Sequence, residues 1–152
     1  MLIDKADTEI IRALQDEART SLDQLAHLTG LSSATVQRRL KALRKSGVIQ
    51  RDVSIIDPAK VGQSMSFIIM VELERERPDQ IDIFVRRAVK EPQVQQCYYV
   101  TGEADFCLIC TARDMDEFEK LTHRLFFEDT NVRRFRTSVV MGRKKVGLGV
   151  SL

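Results

Sequence analysis

The spacing of apolar residues changes once along this chain of 152 residues. Before Pro58, apolar side chains recur every three or four residues, which is typical of amphipathic helices. After Gly62 they occur in short runs such as SFIIMVELE and DFCLICTAR, which are typical of strands. We therefore expect two domains of different class, with the boundary between Pro58 and Gly62.

Three helices are predicted in the first part of the chain. Asp4 or Asp7 can cap the first, and Ser21 with Gln24 matches the capping-box pattern for the second. A short helix, the turn TGLS and a longer helix follow in the order of a helix-turn-helix. The segment VIQRDVSIID, residues 48–57, alternates enough to be a strand or wing.

The third helix carries a basic surface. From Arg38 to Arg51 there are six basic residues and no acidic residue, while Val36, Leu40 and Leu43 form one apolar stripe. Glutamine and arginine present paired donors that match adenine and guanine edges, and lysine neutralises phosphates. An ordinary solvated helix face is the alternative. We interpret the surface as a DNA-binding face, with predicted contacts from Ser32, Ser33, Ala34, Gln37, Arg38, Lys41, Arg44 and Lys45.

The distribution of charge carries this interpretation, because the net charge is only +2. Arg39 lies beside the apolar stripe, and we expect it to form an ion pair inside the domain. For Arg51, a phosphate contact from the wing and a solvated turn are equally compatible with the sequence. The same two interpretations apply to the basic tail, which contains Arg143, Lys144 and Lys145.

The second part of the chain predicts strands and helices in the order βαββαβ, a ferredoxin-like α+β sandwich. One helix is DQIDIFVRRAVKE, and the other starts at a capping pattern of Asp114 and Glu117, with Met115 expected to face the core. Two helices cover only one face of the sheet. Ile68 and Met70 would lie on the other face, which is therefore still apolar. A second copy of the sheet is the simplest cover and predicts a twofold dimer.

The loop VTGEADF joins two apolar strands. Gly102 permits an unusual backbone turn, and such a turn exposes N–H groups that can hold a carboxylate. Glu103 or Asp105 could receive an ammonium group, so the loop has suitable chemistry for an amino acid. A plain hairpin with its acidic residues in water is the alternative.

Several classes of protein are not supported by the sequence. No apolar run approaches the roughly 18 residues of a membrane span, and the start lacks the pattern of a signal peptide, so we expect a cytoplasmic protein. Cys97, Cys107 and Cys110 are an odd number in strand-like surroundings, and we expect buried thiols rather than disulfides or a zinc site. We find no pattern for catalysis, and we predict no enzyme, metal or cofactor.

The helix-turn-helix followed by the βαββαβ unit resembles the Lrp/AsnC family, the feast/famine transcription regulators. The matching motifs are LSSATVQRRLKALRKSGVI, VTGEADF and TSVVM. The resemblance implies dimers joined through the second domain, further assembly into octamers, and an amino-acid effector bound between dimers. It also implies an effector site at Gly102 and Asp105, with Thr101 and Glu103 as neighbours. Glu103 stands where many members have aspartate.

Together these features predict a one-component transcriptional regulator that binds double-stranded DNA and a small, amino-acid-like effector. The predicted domains are a winged helix-turn-helix at residues 1–50, a wing strand and linker at 51–62, and a ferredoxin-like dimerisation and effector domain at 63–152. An architectural DNA-binding protein without an effector is one alternative. A haem-pathway decarboxylase of similar layout is another, although two histidines give it thin support.

Overall fold

The structure, a computed structural model, describes residues 2–152. It contains two compact units: the chain up to Ile55 together with Val146–Leu152, and the segment Ile56–Lys145. The last seven residues were predicted to belong to the second domain, and in the structure they lie in the first unit. They group with the first unit because the Gln15 side chain accepts from Val150 N at 2.6 Å and donates to Val150 O at 3.1 Å.

The first unit contains the three predicted helices. Asp4 caps the first helix in a reciprocal capping box with Asp7, Ser21 and Gln24 form the box of the second, and Ser32 caps the third. Since each cap satisfies N–H groups that a helix leaves unpaired, these residues fix where the helices begin. The helices are α1, Lys5–Asp16; α2, Leu22–Thr29; and α3, Ser33–Lys45.

The apolar stripes of the three helices meet in one core. Gly30, at φ +69°, ends α2 in the left-handed region and lets the chain turn directly into α3. The stripe predicted for α3 is confirmed, and its opposite side is left in water. The buried members of this core are Ile10, Ile11, Leu25, Val36, Leu40 and Leu43.

The segment at residues 48–57, predicted to be a strand or wing, forms no strand. Arg51–Asp57 have no regular secondary structure, and all four strands of residues 2–152 belong to the sheet of the second unit. An isolated extended segment has no neighbouring strand to receive its backbone hydrogen bonds. Alternation alone therefore did not produce a strand here, and Val53 and Ile55 remain 53% and 81% exposed.

The second unit is the predicted ferredoxin-like α+β sandwich. Its four antiparallel strands have the order β2-β3-β1-β4, and two helices cover one face. The last helix continues into a π-helical turn at His123–Phe127. The elements are β1, Met65–Leu73; α4, Pro78–Lys90; β2, Val94–Tyr99; β3, Phe106–Ala112; α5, Met115–Thr122; and β4, Val132–Val139.

The two faces of this sheet differ in burial. On the helix side, Phe67 is buried and stacks on Phe118 with ring centroids 3.9 Å apart. On the other side, Ile68 is 39% exposed, and its neighbours Met70 and Ile109 are only half-buried. Met115 was expected to face the core but is 53% exposed. As the first residue of α5, it precedes the part of the helix that packs on the sheet.

No helix among residues 2–152 is long and apolar enough to cross a membrane.

Candidate DNA-binding and effector sites

The exposed side of α3 presents mostly polar and basic side chains. Its apolar stripe is buried, so residues about half a turn away necessarily point outward. The predicted contacts on this side of the helix are all exposed to water: Ala34, Gln37, Arg38, Lys41, Arg44 and Lys45.

Three of the predicted DNA contacts already have bonds inside the first unit. Ser32 is exposed, but its hydroxyl accepts from Thr35 N at 3.2 Å as the helix cap. Ser33 Oγ donates to Asp23 Oδ1 at 2.8 Å. Arg44 Nη2 lies 3.0 Å from Asp52 Oδ2. These bonds distinguish the three residues from Gln37, Arg38, Lys41 and Lys45, which have no side-chain bond of this kind within residues 2–152.

Arg39 connects α3 to the start of α1. Its Nη1 atom donates to Asp4 Oδ2 at 2.8 Å and to Asp7 Oδ1 at 2.9 Å, which confirms the predicted ion pair. Asp7 is only 6% exposed, so this ion pair satisfies a nearly buried carboxylate. A hydrogen bond from Asp7 N, together with the hydrogen bond from Arg39, lowers the pKa of Asp4. These ion pairs thus hold α3 against the start of α1.

The loop between β2 and β3 borders a small polar cleft of about 130 Å³. Gly102 has φ +119°, a value that favours glycine, so the predicted unusual turn is confirmed. Of the four predicted effector residues, Gly102, Glu103 and Asp105 line the cleft, whereas Thr101 does not. The complete lining is Glu72, Leu73, Glu76, Gly102, Glu103, Ala104, Asp105 and Arg133.

Asp105 has a structural bond that the sequence did not reveal. Its Oδ2 atom accepts from Leu73 N at 2.6 Å, and its own N–H donates to Val71 O at 2.9 Å. The pairing register of β1 with β4 shifts between Glu72 and Leu73. The pairs of β1 with β3 end at Val71 and Phe106, so Leu73 N lies beyond that ladder and the Asp105 carboxylate supplies its acceptor.

The charged groups around the cleft fall into two sets. Glu72 is engaged, because Arg134 Nη2 lies 2.8 Å from its Oε1, and this hydrogen bond lowers the pKa of Glu72. By contrast, Glu76 and Arg133 line the cleft and form no ion pair with another residue in the described part of the chain. Neither was predicted from the sequence, since each lies in an ordinary charged stretch near a strand end.

The three thiols were expected to be buried, and only one of them is. All are free: Cys110 is buried, and Cys97 and Cys107 are half-buried. Burial raises the pKa of the Cys110 thiol to about 12, which keeps it protonated and unreactive near neutral pH.

Comparison with known proteins assigns both units. The Lrp/AsnC ligand binding domain matches residues 66–149, and a winged helix-turn-helix DNA-binding domain matches residues 3–50. An HTH-type transcriptional regulator of Sinorhizobium fredii, y4tD, is 45% identical over the whole chain and 90% of its own length.

Two solved structures extend the likeness. A transcriptional regulator from Neisseria meningitidis in complex with L-Met is 26% identical, with a TM-score of 0.91 over 99% of this chain and 97% of that one. A feast or famine regulatory protein from M. tuberculosis complexed with L-methionine is 28% identical, with a TM-score of 0.86 over 95% and 96% of the two chains. The chain described here therefore belongs to the Lrp/AsnC family of helix-turn-helix transcriptional regulators.

Proposed function

We propose that the protein reads operator DNA with the exposed side of α3 and responds to a zwitterionic amino acid bound at the Gly102 cleft. The observation that carries the first half is the separation of the two sides of α3. Val36, Leu40 and Leu43 hold the helix in its core, so the basic side is free to enter a major groove.

Within α3 we assign different roles to different side chains. Gln37 and Arg38 lie toward the N-terminal half of the helix, have paired donors and are free, which suits contacts with base edges. Lys41 and Lys45 follow one and two turns later and suit phosphates. Ser32 and Ser33 support the start of the helix through their internal bonds, although their backbone N–H groups can still approach a phosphate.

Binding-site selection followed by titration tests these roles. Arg38→Ala should cost about 1–3 kcal/mol and relax preference at one base pair. Lys41→Ala should weaken all duplexes alike and reduce the slope of log K against log salt by about 0.9. Lys90→Ala, in α4 of the other unit, is the matched control. An Arg38→Ala protein that selected the same sites with the same preference would contradict the base-reading role.

The cleft offers both charges that an amino acid requires. Arg133 can pair with the carboxylate and Glu76 with the ammonium group, while N–H groups of the Gly102 turn lie beside them. We assign Asp105 to support of the cleft wall, because its carboxylate is bonded to Leu73. The L-methionine complexes of the two relatives support an amino acid as ligand class.

A thermal-shift screen of the twenty amino acids tests the effector. At least one should raise the melting temperature of the wild type, because a ligand that binds the folded state stabilises it. Arg133→Gln and Glu76→Gln should each reduce that shift, whereas Arg86→Gln, on an exposed face of α4, should not. If none of the twenty bound, the architectural alternative would replace the sensor.

We also propose that the open face of the sheet joins two copies. Ile68, Met70 and Ile109 form an apolar centre that water would otherwise cover, and the face belongs to the domain matched to the ligand-binding family. Light scattering on Ile68→Asp should show a monomer where the wild type is a dimer or larger. Val89→Asp, on an exposed part of α4, controls for the added charge. A monomeric wild type at micromolar concentration would contradict the proposal.

The remaining expectations follow from these roles. The relatives matched by sequence are transcriptional regulators, so we infer no enzymatic activity and no decarboxylase role. Assembly beyond the dimer and a cytoplasmic location stay predictions.

A further inference from the structure

The four cations on the exposed side of α3 differ in their surroundings. Arg38, Lys41 and Lys45 form no ion pair with another residue of the described chain, whereas Arg44 Nη2 lies 3.0 Å from Asp52 Oδ2. Asp52 belongs to the segment after α3 that has no regular secondary structure. The acidic group thus comes from outside the helix and meets one cation of the proposed DNA-binding face.

This ion pair is at the surface and is exchangeable. The side chains of Arg44 and Asp52 are 51% and 46% exposed, and exposed pairs are worth only about 0–1 kcal/mol. A DNA phosphate can therefore displace the carboxylate, but it must first separate the pair. While the pair is intact, its net charge is zero, so Arg44 attracts a phosphate less strongly than an unpaired cation does.

The geometry of the Arg44–Asp52 pair also differs from that of the Arg39 ion pairs, which fix the direction of a side chain. Arg39 is held by two carboxylates, at 2.8 and 2.9 Å, and its direction is fixed. Arg44 has a single contact through one nitrogen atom, which allows its guanidinium group to swing between acceptors. We therefore expect Asp52 to compete with DNA for Arg44 instead of aiming Arg44 at DNA.

We propose that Asp52 lowers the affinity of this regulator for non-specific DNA by neutralising Arg44. The inference rests on the proposed role of α3. Non-specific binding depends almost wholly on how many phosphates are neutralised, so removing one available cation weakens it. A regulator gains specificity from weak non-specific binding because competing sites greatly outnumber the operator.

A double-mutant cycle tests the proposal, using wild type, Asp52→Asn, Arg44→Gln and the double variant. Affinity for an operator-free duplex is measured by fluorescence anisotropy between roughly 50 and 200 mM salt. Asp52→Asn should bind this duplex several-fold more tightly, with a salt slope steeper by about 0.9. In the Arg44→Gln background, the same substitution should give much less gain.

Two comparisons make the outcome decisive. Asp82→Asn changes the net charge equally, from an exposed position in α4, and should leave DNA affinity unchanged. The proposal is overturned if Asp52→Asn weakens binding, or if its gain is the same with and without Arg44. If Arg38→Ala and Lys41→Ala also leave binding unchanged, the proposed function of α3 itself fails. If those two variants weaken binding while the cycle is additive, only the role of Asp52 fails.

Discussion

The proposed DNA-binding face and the proposed effector cleft are built in different ways. The face comes from one helix, and its outward residues are distinct from the buried residues that hold the helix in place. The cleft combines residues from the end of β1, the segment that follows β1, the Gly102 loop and the start of β4. In the cleft, one acidic residue of the predicted site, Asp105, also bonds the end of a neighbouring strand.

This difference determines how well the effect of a substitution on binding can be separated from its effect on stability. On α3, a substitution at Arg38 or Lys41 removes an exposed side chain and should leave the fold intact. At the cleft, a substitution at Asp105 removes an acceptor that the backbone requires. The first site should therefore yield variants with a clean loss of binding, and the second should yield variants with mixed effects.

Among the substitutions that test this comparison, the largest loss of stability is expected at Arg39. Arg39→Met removes both ion pairs from α3 to the start of α1 and leaves the nearly buried Asp7 carboxylate unpaired. The free energy of unfolding should fall by about 1–3 kcal/mol, measured by urea denaturation. Arg38→Met, one residue away on the exposed side, should change stability by no more than about 0.5 kcal/mol. Equal effects at the two positions would break the separation proposed for α3.

The next largest loss of stability is expected at Asp105, whose carboxylate accepts one hydrogen bond from Leu73 N. Asp105→Ala leaves Leu73 N without its acceptor and should cost roughly 1–3 kcal/mol of stability. Asp105→Asn keeps an acceptor of similar shape and should recover part of that loss. Calorimetry with the bound amino acid, performed well below the melting temperature, then reports affinity separately. A large loss of affinity in a fully stable Asp105→Asn protein would give this carboxylate a direct role and contradict our assignment.

Local patterns predicted much of both units. The three helices, their caps and the buried stripe of α3 follow from residues within a few positions of one another. The element order βαββαβ and the uncovered apolar face of the sheet follow from the strand and helix patterns and from alternation. These signals come from residues close together in sequence, because helix capping and the alternation of a strand are local effects.

The features that sequence reasoning missed depend on distant pairings. Asp105 reaches Leu73 across 32 positions, and Arg133 joins Glu76 at the cleft only because β4 pairs with β1. The segment at residues 48–57 alternates like a strand but has no partner strand. In each case the missing information was which backbone group lies opposite, and a single sequence does not encode that locally.

The smallest expected effect is a pH dependence in the first unit. In the folded protein, the pKa of Asp4 is lowered by the hydrogen bond from Asp7 N and by Arg39. A lowered pKa means that the charged carboxylate stabilises the fold. This contribution to stability is fully present above the pKa of an unfolded aspartate, near pH 4, and is lost as the pH falls through the pKa of Asp4 in the folded protein. Asp4→Asn should therefore show a smaller fall in urea midpoint between about pH 5 and pH 3 than the wild type.

Asparagine is also a good helix cap, so α1 keeps its start. Asp16→Asn, at the exposed far end of α1, should retain the wild-type pH dependence. If both variants kept it, the Asp4 carboxylate would have no part in holding α3 against α1.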